Sequence, residues 1–231
     1  MPSSDATRFP PRDRRMGPEG HQGRRRQKPA RTAHLFAAEA AYADSLVRSA
    51  MGDNPGSVEA VRRSLQYAPT YAPAILSVGS VEYQLGNAAK GRTLFHSLLD
   101  LPKDTEDICE IIDKAGDFLI QLGRYRDGLE FFRRASKRFS REVAFYQGVS
   151  CCACHLGLHE EAVTSARSAL KLKPNDQECT NDLGWSLYQA GKVDEARTVL
   201  EKAVALNRKD KLAAENLRIC ISGEKPPKEL S

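Results

Sequence analysis

The sequence predicts an all-α solenoid: a stack of helix-turn-helix units preceded by a segment that does not fold. Three observations carry this expectation. A glycine recurs at a nearly constant interval, apolar residues lie three and four apart on both sides of it, and a basic charge excess is confined to residues 1–34. The glycines are Gly86, Gly123, Gly157 and Gly191, at intervals of 37, 34 and 34 residues. Periods of this length mark repeat architectures, in which each unit buries its apolar face only against its neighbours.

Further columns share the period. Five residues after each glycine stand Gly91, Gly128, Ala162 and Ala196. Then come Phe95, Phe132, Ala166 and Leu200, followed by Leu98, Ala135, Ala169 and Ala203. Upstream lie Gly79, Gly116, Ser150 and Gly184, each after an apolar residue (Val78, Ala115, Val149, Leu183). Each unit reads as two helices, as in residues 182–190 and 193–206 around Gly191-Lys192. The glycine ends the first helix because it adopts a left-handed conformation without steric cost. The small residues let the paired helices approach closely. Pro69, Pro102 and Pro174 stop second helices and open the turn to the next unit.

This organisation divides the chain into units 38–71, 72–108, 109–142, 143–176 and 177–210, a capping helix at 211–222, and a short disordered tail at 223–231. Unit 72–108 carries three extra residues near 102–107, and Glu82 stands where a large core residue is expected, which predicts a displaced helix. In unit 38–71, Asp44 and Arg48 fall on core positions. A shift of about three residues would bury Ala43, Leu46, Val47 and Ala50 instead.

Residues 1–34 hold nine of the 35 basic residues and three of the 30 acidic ones, a net of +6, which leaves the remainder at −1. Five prolines, three glycines and almost no large apolar residues make this a disordered basic tail, because it cannot bury enough surface to offset ordering. It has no apolar segment of a secretory signal, and its prolines and acids do not suit an amphipathic transit peptide. The six cysteines are then expected to be reduced, and the expected location is cytoplasmic, with the nucleus as the alternative. No apolar run approaches the length of a membrane span.

Little in the sequence points to catalysis. Phosphate-binding glycine loops, nucleophile elbows and paired zinc-binding histidines are absent. Cys151, Cys154 and His155 share one helix face, but buried cysteine acting as small apolar filler is the commoner arrangement. The expected catalytic, cofactor and metal sites are therefore none.

The columns resemble those of the tetratricopeptide repeat. Unit 177–210 carries Leu183-Gly184, Gly191, Ala196, Leu200 and Ala203 at that family's positions. Unit 143–176 carries Tyr146, Gly157, Ala162, Ala169 and Pro174, and unit 109–142 fits with Ser140 in place of the proline. The resemblance implies a right-handed solenoid of about five units, a non-enzymatic scaffold or adaptor whose concave groove, lined by first helices, takes a peptide or helix of a partner.

Carrying the family's groove columns onto this chain implies Glu110, Asp113, Asp117 and Gln121, then Gln147, Cys151, Cys154 and His155, then Asn181, Trp185, Tyr188 and Gln189, with Glu215 from the cap. The family's usual tryptophan position holds Thr180, whereas the single tryptophan of the chain sits in a groove column. Aromatics with polar tips are typical binding anchors. One version of the fold binds chaperone C-terminal carboxylates through Lys, Asn and Arg. Here acids and amides stand in the groove, with Lys114 nearby, and a basic or neutral polar partner is implied instead. A second reading uses the basic tail and a basic face formed by Arg133, Arg134, Lys137, Arg138 and Arg141 for weak, salt-sensitive nucleic-acid association. The oligomeric state is left open.

Overall fold

The structure, a computed structural model, describes residues 27–223, with side chains from residue 32 onward; of the tails expected at 1–34 and 223–231, residues 1–26 and 224–231 lie outside the described residues. Eleven helices and no strands occur among the described residues. They pair as α1 (Gln27–Ala50) with α2 (Asn54–Tyr67), α3 (Ala72–Gln84) with α4 (Ala88–Leu98), and α5 (Ile108–Gln121) with α6 (Tyr125–Arg138). Next come α7 (Val143–His155) with α8 (His159–Leu172), α9 (Gln177–Gln189) with α10 (Val193–Leu206), and the single α11 (Lys211–Ser222). First helices form one layer, in which α3, α5, α7, α9 and α11 contact one another in sequence, and second helices form the other.

Local chemistry sets the helix ends. The carboxylates of Asp53, Asp176 and Asp210 accept backbone N–H bonds from the first turns of α2, α9 and α11, which satisfies donors that a helix start otherwise leaves unpaired. Gly86 and Gly191 follow α3 and α9 with φ of 83° and 76°, a region costly for a residue with a Cβ. The inserted residues of unit 72–108 are absorbed by a short α4 and a linker that tucks Leu99 and Leu101 into the core.

The core works by exchange of volume between two columns. Gly79, Gly116 and Gly184 on first helices face Phe95, Phe132 and Leu200 on second helices, at distances that no added Cβ fits. Where the first helix carries Ser150, the second carries Ala166. In the three glycine pairs, bulk on the second helix fills the space that the first leaves open.

Three expectations are corrected. The disordered tail does not extend to residue 34: α1 starts at Gln27. Pro29 falls in its first turn, where a missing N–H and a fixed φ are tolerated. The register shift in unit 38–71 does not occur either. Leu46 and Val47 are 55% and 57% exposed, Ala43 and Ala50 are also exposed, and Ala38 and Ser45 are buried instead. Ser45 stands 34 residues before Gly79 and continues the small-residue column. Asp44 and Arg48 keep their places because they pair with each other at 3.0 Å and with Arg63 and Asp53. Finally, Glu82 does not displace α3. Its buried carboxylate accepts from Lys90 at 2.8 Å, Asn87 at 2.9 Å and Arg62 at 3.2 Å. Hydrogen bonds from Lys90 and Asn87 hold its carboxyl below the usual range. A buried carboxylate is stable only when it is paired in this way.

The cap α11 buries Ala213, Asn216, Ile219 and Cys220, and Asn216 donates to Asn181 of α9 at 3.0 Å. Deleting residues 211–231 is expected to expose the α9–α10 face, lower the melting temperature and promote aggregation, because a solenoid end needs a polar cover. Thermal unfolding followed by circular dichroism checks this. A truncated chain that melts at the parent temperature without aggregating contradicts it.

Candidate functional site

The first helices α5, α7, α9 and α11 curve around a concavity of about 460 Å³. Its lining combines Asp113 and Asp117 from α5, Gln147, Cys151, Cys154 and His155 from α7, Glu178, Asn181, Asp182 and Trp185 from α9, and Leu212 and Asn216 from α11. Side chains at three- and four-residue spacing share a helix face, and the 34-residue period brings the same faces of successive units to one surface.

Eight of the thirteen groove residues expected from the sequence line this concavity: Asp113, Asp117, Gln147, Cys151, Cys154, His155, Asn181 and Trp185. The other five lie outside it. Glu110 is exposed and pairs with Lys114 at 2.5 Å, and Glu215 pairs with Arg218 at 2.9 Å on α11. Tyr188 supports the Trp185 ring, with centroids 5.7 Å apart, rather than lining the space itself. Gln189 has a buried Nε2. Gln121 lies in a shallower depression beside Leu76, Ser80 and Lys114.

Sequence reasoning missed Glu178, Asp182, Leu212 and Asn216. The signal was present, since residues 144, 178 and 212, and residues 148, 182 and 216, form columns at the 34-residue period.

The site is acidic and poorly neutralised. Burial pushes Asp182 up to about 6; the bond from Gln147, 3.0 Å long, opposes this, and Glu178 and Asp176 add to it. Burial also raises Asp113 to about 6, with further pressure from Asp117, Glu142 and Glu178. Burial raises Asp117 too. None of Asp113, Asp117, Glu178 and Asp182 has an ion-pair partner among the described residues. Cys151 and Cys152 are pushed up to about 11 and about 12, mainly by burial, so the thiols stay protonated and inert near neutrality. No group of three or more metal-ligating side chains is gathered among the described residues. His155 instead stacks on Tyr125, with ring centroids 3.9 Å apart.

A carboxyl whose folded pKa exceeds its unfolded value lowers stability as pH rises from the unfolded value through the folded one. For Asp113 and Asp182 that window runs from the ordinary aspartate value of 3.8 to about 6. The double variant Asp113→Asn/Asp182→Asn is therefore expected to be more stable than the parent at pH 7.5, with the advantage shrinking toward pH 4.5. Paired thermal melts across this range check it, and a variant less stable at pH 7.5 contradicts it.

Three of the five residues of the basic face have partners within the fold, although Arg133 and Arg134 stay exposed. Arg133 pairs with Glu161 across units, Arg134 approaches Asp100 and His96, and Arg138 donates to the Leu101 carbonyl. Lys137 and Arg141 remain exposed. The Arg133–Glu161 pair repeats one unit later as Arg167–Glu195, so these charges join neighbouring second helices. Among the described residues no helix is long and apolar enough to cross a membrane.

Family models described as tetratricopeptide repeat match residues 114–177 and 153–218. No curated protein matches the sequence. Among solved structures, the chain is similar to YrrB, described as a TPR protein with an unusual peptide-binding site, at 15% identity and a TM-score of 0.56, covering 83% of this chain and 97% of that one. It is similar to MamA at 15% identity and a TM-score of 0.52, covering 87% and 98%. A MamA fragment from Desulfovibrio magneticus RS-1 matches at 14% identity and a TM-score of 0.55, covering 76% and 97%. At these identities the likeness is one of fold. The repeat-model matches thus place tetratricopeptide repeats across residues 114–218, and the volume-exchanging columns and the helix-turn-helix stack continue the same fold into the units before them.

Proposed function

We propose that the chain is a non-enzymatic protein-interaction scaffold whose concavity binds a basic, extended segment of a partner protein. The observation that carries this reading is the group of carboxylates without ion-pair partners, Asp113, Asp117, Glu178 and Asp182, placed around Trp185. Like charges gathered in one concavity, with Asp113 and Asp182 partly buried, are unfavourable in the free protein, and a cationic side chain entering it relieves that cost. Trp185 and Tyr188 supply an aromatic wall for its aliphatic stem. Asn181, Gln147 and Asn216 supply donors and acceptors suited to a peptide backbone. YrrB, which shares the fold, has a peptide-binding site.

Nucleic-acid association through residues 133–141 has less support, because Arg133, Arg134 and Arg138 are engaged within the fold. An array of length-matched basic, neutral and acidic peptides tests the proposal. Basic peptides are expected to bind the parent and to lose binding to Asp113→Asn/Asp182→Asn. Equal capture of acidic peptides contradicts the reading.

A further inference from the structure

At the N-terminal end of the stack, a face that later units bury is left without a neighbour. Along the first helices the repeat brings Ala40 into register with Ala74, Ile111, Phe145, Cys179 and Ala213, all buried. Ala74 packs with Val61 of the preceding unit, and Cys179 with Ala169 of its own preceding unit. Val47 is likewise in register with Cys152, Ser186 and Cys220, which are buried. Helix α1 has no preceding unit among the described residues, and both Ala40 and Val47 are exposed.

The same helix is 24 residues long, whereas the others have 11 to 14. Its extension carries Phe36, 64% exposed, onto the same face. Phe36, Ala40, Ala43, Val47 and Ala50 alternate at four- and three-residue steps with no charge among them, which is the spacing of a helix-packing seam. The seam is about 21 Å long at 1.5 Å per residue. Leu46 and Met51 widen it.

We propose that this seam is a homodimer interface in which α1 packs antiparallel on α1 of a second copy. Charge selects the orientation. Crossing at Ala43 places Phe36 against Ala50 and Met51 of the other copy, bulk against a small residue and a flexible one. It also separates the exposed Glu39 from its mate by about 12 Å along the axis, whereas a parallel pairing stacks the two. The seven arginines of residues 1–26 (Arg8, Arg12, Arg14, Arg15, Arg24, Arg25 and Arg26) join the helix at its Gln27 end. Antiparallel packing sends the two Gln27 ends apart, so these charges do not meet.

Area is consistent with a second copy. Helix faces of this size bury roughly 500–700 Å² per copy, near the lower bound for specific association. The opposite end does not offer the same uncharged seam, since the exposed residues of α11 mix Leu212 and Ile221 with Lys211 and the Glu215–Arg218 pair.

Sedimentation velocity on the full chain, over roughly 1–200 µM, tests the interface. The parent is expected to shift from 25.6 kDa to twice that mass. Val47→Glu and Ala43→Glu are expected to weaken dimerisation at least tenfold while keeping the parental melting temperature, since both residues are exposed. Oxidation of an Ala43→Cys variant should cross-link the dimer at its crossing point, whereas Ala33→Cys should not. A parent that stays monomeric at the highest concentration, as it would if residues 1–26 covered the seam, overturns the proposal. So does a dimer that survives Val47→Glu and Ala43→Glu, or mass growth beyond the dimer from head-to-tail stacking.

Discussion

Phe132→Ala is expected to lower the stability of the solenoid by about 3–5 kcal/mol, a large share of what a domain of this size possesses. The ring is fully buried. It occupies volume that two missing side chains leave open: a Cβ on Gly116 would lie 2.0 Å from its Cζ, and one on Gly148 would lie 2.5 Å from its Cε2. Gly116 belongs to the same unit and Gly148 to the next, so one side chain locks a helix pair and the interface beyond it. Phe131 and Phe145 pack against it, with ring centroids at 6.1 and 6.4 Å. Removal leaves a cavity on both sides. Gly116→Ala is expected to destabilise by overpacking the same spot, and less so in a Phe132→Leu background, because neighbours in contact are not additive. Urea unfolding of the single and double variants measures both effects. A Phe132→Ala protein within about 1 kcal/mol of the parent contradicts the volume-exchange account.

Trp185→Ala is expected to weaken binding of a basic peptide by about 1–3 kcal/mol while leaving the helical content unchanged. The ring is half-buried against Tyr188 and faces the concavity, so its loss removes contact area from the ligand more than from the core. Asp182→Asn acts differently. It keeps a side-chain oxygen that accepts from Gln147 and removes only the charge, so affinity for a cation should fall and become less dependent on salt. Calorimetric titration at two ionic strengths separates the two effects. Unchanged affinity in a folded Trp185→Ala protein removes the aromatic wall from the account.

The repeat itself was legible because volume follows the period: glycine columns against phenylalanine and leucine columns can be read without coordinates. Ser45 escaped notice because serine at a core position gives no apolar signal, yet it continues the column of Gly79 and is buried. Glu82 was misjudged, and the partner of Arg133 was out of sight, for one reason. A pattern of residue types shows a charge but not its partner, and Arg62 and Glu161 reach them from neighbouring units. The place of Trp185 in the concavity, where it is the proposed anchor, was visible as a displaced tryptophan. Its acidic floor was only half visible, because Asp182 and Glu178 occupy columns that hold glycine and alanine one unit earlier. The exposed seam of α1 was read as a buried face, since spacing alone does not tell whether a neighbour is there to cover it.

The chain has a single tryptophan, and it lines the concavity, so its own fluorescence reports occupancy. The most direct test of the central claim is a titration at pH 7.5 of the full chain with an unstructured peptide alternating serine with arginine and lysine, beside the same peptide carrying aspartate and glutamate. The account predicts a saturable change in Trp185 emission with the basic peptide, little with the acidic one, and loss of the response in Asp113→Asn/Asp182→Asn. A response that is absent with the basic peptide, equal for both peptides, or unaltered in the double variant contradicts cation recognition in the groove.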